Sequence, residues 1–247
     1  MASRKKPPSE TDVTSAAIEP PWWRPRKTVR RRQPLSRDAI VDAAIKILDA
    51  EGVDALTVRR LADALGTGPA TLYWHINGKD ELGELVYDRI MGDIDLPEPD
   101  PARWQEQLKQ LVRDAYGVLR SHNDAVRLSI GRVPVGPNML AVMEWSLGLL
   151  LAAGVSQPVA AYIGDLVGRY IDASVLEDTA GPAQGGEPDT AIAMLRDYFG
   201  SLPADRFPNL AAAAQAMFEP DERERFELGL DILMRGIETY ARPKRRS

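Results

Sequence analysis

The chain has 247 residues, a formal net charge of −5 and no cysteine. That length holds one large or two modest domains, and the absence of thiols excludes a disulfide framework and a thiolate metal site, as suits a reducing cytoplasm. The first residues lack the apolar core of a signal peptide, and the longest apolar run, Leu147 to Ala153, is too short to cross a bilayer. A cytoplasmic protein without a membrane partner is therefore expected.

The charge is unevenly placed. Residues 1–35 hold nine Lys or Arg against Glu10, Asp12 and Glu19, a local +6, so the remainder carries −11. Residues 1–20, rich in Pro, Ser and Lys, read as disorder. The run from Trp22 to Pro34 can lie along a nucleic-acid backbone or enter a minor groove, although a solvated tail fits its composition equally well.

Patterned text begins at Ser36, a helix cap, with Ile40, Ala44, Ile47 and Leu48 on one stripe and Gly52 as the stop signal after Glu51. Thr57 can cap a second helix, whose Val58, Leu61, Ala62 and Leu65 share a face. Gly66 ends it, and Pro69 restarts a helix of about seven residues because its fixed φ suits the first helical position. The outward side of that helix carries Thr71, Tyr73, Trp74 and His75, an odd group to leave in water. Its size suits a major groove about 12 Å wide, which predicts a helix-turn-helix and a double-stranded DNA partner.

Two helices around a glycine turn also occur inside enzymes, and aromatics at helical spacing usually lie in a core. The flanks decide between these readings. After the Asn77-Gly78-Lys79-Asp80 turn comes another amphipathic helix with Leu82, Leu85, Val86 and Ile90, so residues 36–95 form a three-helix head plus a connecting helix. This head has six basic and twelve acidic residues, so it can bind DNA only if its acids point away from the duplex.

The pattern Thr71-Leu72-Tyr73-Trp74-His75-Ile76 followed by Lys79 resembles the TetR-type one-component transcriptional repressors, and the tetracycline repressors in particular. The segments Trp104–His122, Pro134–Gly154, Val175–Asp178 and Phe226–Glu238 are similar to the C-terminal domain of that type. The resemblance implies that Leu72 and Ile76 look inward while Thr71, Tyr73, Trp74 and His75 face DNA. It also makes Arg59 a base contact and Lys79 a phosphate contact. With the cap and turn positions added, the candidate DNA surface is Thr57, Arg59, Arg60, Thr67, Gly68, Pro69, Ala70, Thr71, Tyr73, Trp74, His75 and Lys79.

From Asp100 onward, within a C-terminal domain of residues 96–247, the text is helical, and the expected fold is all-α. Asp100-Pro101 reads as a cap and a first-turn proline ahead of Trp104, Leu108, Leu111, Val112, Ala115 and Leu119. Asn138–Ala153 is apolar all round and predicts a central helix. Ser156 caps the next, which runs to about Asp178. Gly181–Pro188 reads as a mobile loop. Helices near Thr190–Gly200 and Leu210–Phe218 precede the last, Asp221–Tyr240. Reading half-sites one helical turn apart requires a homodimer. The family's interface is a four-helix bundle, which by position would use Pro158–Asp178 and Asp221–Tyr240. Gly164, Gly168, Gly229 and Gly236 fit close packing there, or simply relieve crowding within the chain.

The resemblance also implies an effector site in residues 96–247. Tetracycline repressors chelate magnesium through histidines, but the corresponding positions here are Ser129 and Arg169, while the family's acidic residue persists as Glu177. Without imidazoles the metal chemistry is lost, so no metal or cofactor is expected and the effector is something other than magnesium–tetracycline. Met139, Met143, Trp145, Leu166 and Tyr170 suit an apolar or aromatic molecule, with Arg132 and Arg169 available for a carboxylate or phenolate. Each aromatic or methionine also reads as ordinary core, and each arginine as a structural ion pair. His122 reads as a helix-end residue.

Two other classes remain to be distinguished. An enzyme would need a nucleophile, an acid–base pair or metal ligands. The chain offers only His75 and His122, and the adjacent Glu177 and Asp178 diverge on a helix, so no catalytic residue is expected. A helical adaptor would share the fold but select no operator. The sequence supports a ligand-responsive repressor that binds a palindromic operator as a dimer.

Overall fold

The structure is a computed structural model describing residues 35–179, 188–218 and 222–241. The basic segment ahead of Leu35 and the glycine-rich stretch 180–187 lie outside these residues, as does Asp221. Among the described residues there are ten α-helices and two 3₁₀ turns, and no strand.

The head comprises α1 (Arg37–Glu51), a 3₁₀ turn (Val53–Ala55), α2 (Val58–Leu65), α3 (Pro69–Leu72) and α4 (Lys79–Met91). Its ends are set by the residues that the chain pattern singles out. Ser36 Oγ accepts from the Ala39 N–H at 3.1 Å, and Thr57 Oγ1 accepts from the Arg60 N–H at 3.1 Å. Gly66 takes a left-handed conformation at φ 60°, which lets the Thr67 N–H reach back to the Ala62 carbonyl at 2.9 Å. Ile40, Leu48, Leu61, Leu72, Ile76 and Leu82 are fully buried and make one core for all four helices.

α3 is shorter than the seven residues expected. Regular α-geometry ends at Leu72, and the chain then tightens into i→i+3 bonds from Trp74 to Thr71 and from His75 to Leu72. The turn at Asn77-Gly78, with Gly78 at φ 114°, leaves no room for a further α-turn.

The remainder is α5 (Trp104–Ser121), a second 3₁₀ turn (Ala125–Leu128), α6 (Pro137–Ala152), α7 (Gln157–Thr179), α8 (Pro188–Gly200), α9 (Pro208–Met217) and α10 (Glu222–Glu238). α5 begins at Trp104, three residues later than the Asp100-Pro101 signal suggested. The Asp100 carboxylate instead accepts from the Ala102 N–H at 2.8 Å, closing a local turn that competes with the cap. α5 packs on α7, and α10 packs on both. Arg113 pairs with Glu227 at 2.7 Å, Lys109 pairs with Asp231, and the Tyr116, Phe226 and Tyr170 rings stack between them.

α6 is not central. It turns Val142, Leu149 and Leu150 inward and leaves Leu140, Met143 and Leu151 exposed. A helix apolar all round has no polar face to announce which side is inside, and one chain supplies partners, chiefly α7 and α4, on one side only.

α4 joins the head to this second layer, packing on α1 and also on α5 and α6. Its buried Asp88 accepts the Met139 N–H at 2.9 Å and so caps the start of α6, while Asn138 Nδ2 donates to the Asp88 carbonyl at 2.9 Å. A side chain at Gly136 would collide with the Asp88 carboxylate, so this close approach requires glycine. The 93–103 connector is also tied down. Trp145 Nε1 donates to the Pro97 carbonyl at 2.6 Å, and Gln107 Nε2 donates to the Glu98 carbonyl at 2.8 Å.

Candidate nucleic-acid interface and effector region

Leu72 and Ile76 anchor the α3 segment in the head core, with 0% and 1% exposure. Between and beside them Tyr73 is 57% and Trp74 88% exposed. An indole almost wholly in water lacks the burial that normally accompanies so large an apolar ring. Thr71, Ala70, Pro69 and Gly68 are exposed as well, and Thr67 and His75 are half-buried. Lys79 stands exposed at the start of α4, and Arg59 on α2 is exposed with no ion pair among the described residues.

Two of the sequence-derived DNA contacts are engaged elsewhere. The Thr57 hydroxyl caps α2, and the Arg60 guanidinium makes a fork on Glu51, with Nε 3.1 and 3.0 Å from the two carboxylate oxygens. Each partner stabilises the other's charge: the hydrogen bond from Arg60 lowers the Glu51 pKa and raises that of Arg60.

The acidity of the head is resolved by position. No Asp or Glu occurs from Gly66 to Lys79. Apart from an exposed Asp63 on α2 and Asp93 and Asp95 after α4, the head's acids stand on α1, the first 3₁₀ turn and α4, where many have cations: Asp38 and Asp42 meet Arg89, Glu81 meets Arg37, Asp80 meets Arg132, and Asp54 meets Arg127. Glu81 also folds back to accept the Asn77 N–H at 2.6 Å, which holds its carboxyl below the usual range and fixes the turn that presents α3.

The residues proposed for an effector are not gathered into one pocket within the chain. Ser129 is buried against Asp172 at the junction of α4, the second 3₁₀ turn and α7. Arg132 reaches the other way, binding Asp80 at 2.6 Å with Glu84 at 4.0 Å, so it takes the structural ion-pair role. Arg169 is exposed and pairs with Asp165 at 2.9 Å, one turn back on α7. Tyr170 is half-buried, its hydroxyl donating to the Phe226 carbonyl at 2.6 Å. Leu166 and Met143 are exposed on different helices, and Met139 and Trp145 are half-buried on α6. Glu177 is exposed, 3.8 Å from Arg225. A buried Ser129 and an exposed Arg169 cation do not fit a divalent metal.

A surface cavity of about 210 Å³ opens at the seam between the head and the second layer, lined by Lys79, Asp80, Gly83, Arg127, Leu128 and Arg132 among others. His122, as expected at a helix end, closes α5 and places Nδ1 2.9 Å from Asp49 of α1 across the same seam. Sequence reasoning missed three residues of this junction, Asp88, Tyr87 and Asp172. Asp88 and Tyr87 are buried polar groups on an otherwise apolar stripe, and their presence there is the signal that could have found them.

The comparisons with known proteins agree with this architecture. Residues 40–86 match the family of bacterial regulatory proteins described as the tetR family, and residues 96–241 match the tetracyclin repressor-like C-terminal domain. An HTH-type transcriptional regulator of Saccharopolyspora erythraea is 32% identical over 94% of this chain and 97% of its own length. The HTH-type transcriptional repressor DrrR1 of Streptomyces coeruleorubidus is 27% identical over 91% of this chain and 85% of its own. The crystal structure of apo ActR from Streptomyces coelicolor superposes with a TM-score of 0.79 at 42% identity, covering 85% of this chain and 98% of that one. ActR has also been solved with (S)-DNPA and with actinorhodin. The chain belongs to the TetR family of DNA-binding transcriptional regulators. No described helix is long and apolar enough to cross a membrane.

Proposed function

We propose that the chain is a cytoplasmic repressor that binds a palindromic operator as a homodimer and leaves it when a small apolar or aromatic molecule, other than magnesium–tetracycline, occupies the C-terminal domain. The observation that carries the reading is the exposed α3 face, with Trp74 and Tyr73 in water beside a buried Leu72 and no acid from Gly66 to Lys79. Thr71, Tyr73, Trp74 and His75 enter the major groove, Arg59 reaches a base edge, and Lys79 holds a phosphate.

Self-association is supported by α7 and α10. Each buries one stripe in its own chain and leaves a second one bare: Tyr162, Leu166 and Leu176 on α7, Leu228 and Ile232 on α10. Gly164, Gly168 and Gly236 have no neighbour that a Cβ would meet, whereas Gly229 makes room for the Tyr170 ring within the chain. The effector is supported by ActR, 42% identical, whose solved complexes hold actinorhodin and (S)-DNPA.

The test is selection of DNA from a random pool by the full chain at stated salt, followed by a gel shift with the enriched site. Enrichment of an inverted repeat with half-sites about 34–36 Å apart, bound at two chains per site, is expected. Enrichment of no site favours an adaptor without operator binding.

A further inference from the structure

The junction beneath α4 contains a carboxylate with too few donors. Asp172 of α7 is half-buried, and its one side-chain hydrogen bond among the described residues comes from Ser129 Oγ, 3.2 Å from Oδ2. Ser129 Oγ also lies 2.8 Å from the Val126 carbonyl. A hydroxyl has one hydrogen, so Ser129 cannot serve both acceptors fully, and the shorter contact is the one to Val126. Tyr87 of α4, 5% exposed, adjoins the same group, and its hydrogen bond with Ser129 pulls its pKa down against its burial. One Ser129 hydrogen thus faces a carbonyl and a carboxylate, and an ionised carboxylate alone has room for about four.

Nor does any cation among the described residues pair with Asp172. Two other part-buried acids of this layer do have one, Arg113 holding Glu227 and Lys109 holding Asp231, while Asp178 and Asp114 take neutral donors from Tyr116 and Gln110. Burial acts on both titrating groups. Burial pushes the Asp172 carboxyl up against the opposing pull of Ser129, and it pushes the Tyr87 hydroxyl up to about 12, with the Asp172 charge adding to it. Ile171 and Val175 beside Asp172 on α7, and Val126 opposite, are buried.

A half-buried carboxylate with no cation among the described residues, sharing its one hydroxyl donor with a carbonyl and flanked by apolar side chains, is a strong acceptor on an apolar frame. We infer that Asp172, positioned by Ser129, accepts the hydroxyl of a phenol or alcohol on the effector. This inference rests on the effector reading above and assigns that site its polar anchor. An O–H to carboxylate bond is charge-assisted and short, and it gains strength where water is excluded. Through Ser129 the same group touches Tyr87 on α4, the helix that carries Lys79 at its other end.

The test uses 2-naphthol and 2-methylnaphthalene, two probes of nearly one shape that differ by a hydroxyl for a methyl. Their binding to the full chain is measured by ligand-observed NMR. The wild type is expected to prefer the naphthol by about tenfold or more, the contribution of one hydrogen bond to a charged group, and Asp172→Asn is expected to erase that preference. Ser129→Ala removes the competing donor and should move the ratio the opposite way, which keeps the test decisive if Asp172→Asn misfolds. Equal binding of the two probes to wild type, or an unchanged ratio in either variant, overturns the role of Asp172 and leaves the effector pocket standing. Binding of neither probe overturns the pocket with it.

Discussion

Two faces of the molecule leave large apolar side chains in water, and they are built differently. On the α3 segment the exposed groups are rings and hydroxyls, Tyr73, Trp74 and Thr71, with Lys79 next to them and no acid from Gly66 to Lys79. On α7 and α10 they are mostly aliphatic, Leu166, Leu176, Leu228 and Ile232, interleaved with open glycines and with the acids Asp165 and Glu177. Rings that can also hydrogen-bond, in a neutral-to-basic setting, suit the edges of base pairs between phosphates. Aliphatic stripes with glycines on long helices suit other helices, whose ridges can settle into the grooves the glycines leave. Exposed apolar area alone therefore does not identify a partner; the chemistry mixed into it does.

The largest test of this contrast acts on the second face. Placing two charges on it with Leu228→Glu and Ile232→Glu, both more than 60% exposed, should leave the monomer folded and abolish the dimer. Specific operator affinity should then fall by about 10³-fold or more, toward the level of non-specific binding. Light scattering reads the first effect and a gel shift the second. A dimer that survives both substitutions places the interface elsewhere.

The next test separates anchor from contact on the first face. Leu72→Ala removes a fully buried side chain from the head core and should cost about 2–5 kcal/mol of stability in chemical denaturation. Trp74→Ala, one turn-position away but in water, should stay within about 0.5 kcal/mol of wild type. Loss of stability in the Trp74 variant would mean that the ring packs against something the free chain lacks.

In binding, the order reverses. Tyr73→Ala and Trp74→Ala should each lower operator affinity by about 1–3 kcal/mol, the usual scale of one base position, with melting unchanged. An affinity loss that is uniform across specific and random DNA would turn these rings into backbone contacts.

The head was nearly fully legible in the chain because its signals are local. Ser36, Thr57 and Gly66 each set an end of a helix through bonds to residues three to five positions away, and Pro69 starts one through its fixed φ. The effector region was much less so because its determinants are distant in sequence. Whether Arg132 meets a ligand or Asp80 depends on a partner 52 residues away, and Arg169 faces outward because α7 has two apolar stripes of which one chain covers only one. Asp88 and Asp172 gave no motif at all. Their roles come from the N-terminus of α6 and from Ser129, which the fold brings to them.

The smallest expected effect concerns how firmly α3 is presented. Glu81 accepts the Asn77 N–H and the Asn77 side-chain amide, and it meets Arg37. These bonds favour its ionised form, the backbone bond most, so its folded pKa lies below the ordinary carboxylate value. A depressed folded pKa means that this contribution is complete above the unfolded pKa and is lost as pH falls through the folded one. Acidification from neutral pH should therefore loosen the Asn77-Gly78 turn in the range below the ordinary Glu titration. Glu81→Gln should remove that part of the pH dependence and leave the rest of the profile in place. Because Glu81 is partly exposed the difference is modest, and amide exchange at Asn77 is the sensitive readout: faster in the variant at neutral pH, and equal to wild type once Glu81 is protonated. Equal exchange at both pH values would leave the turn held by Gly78 and the buried Ile76 alone.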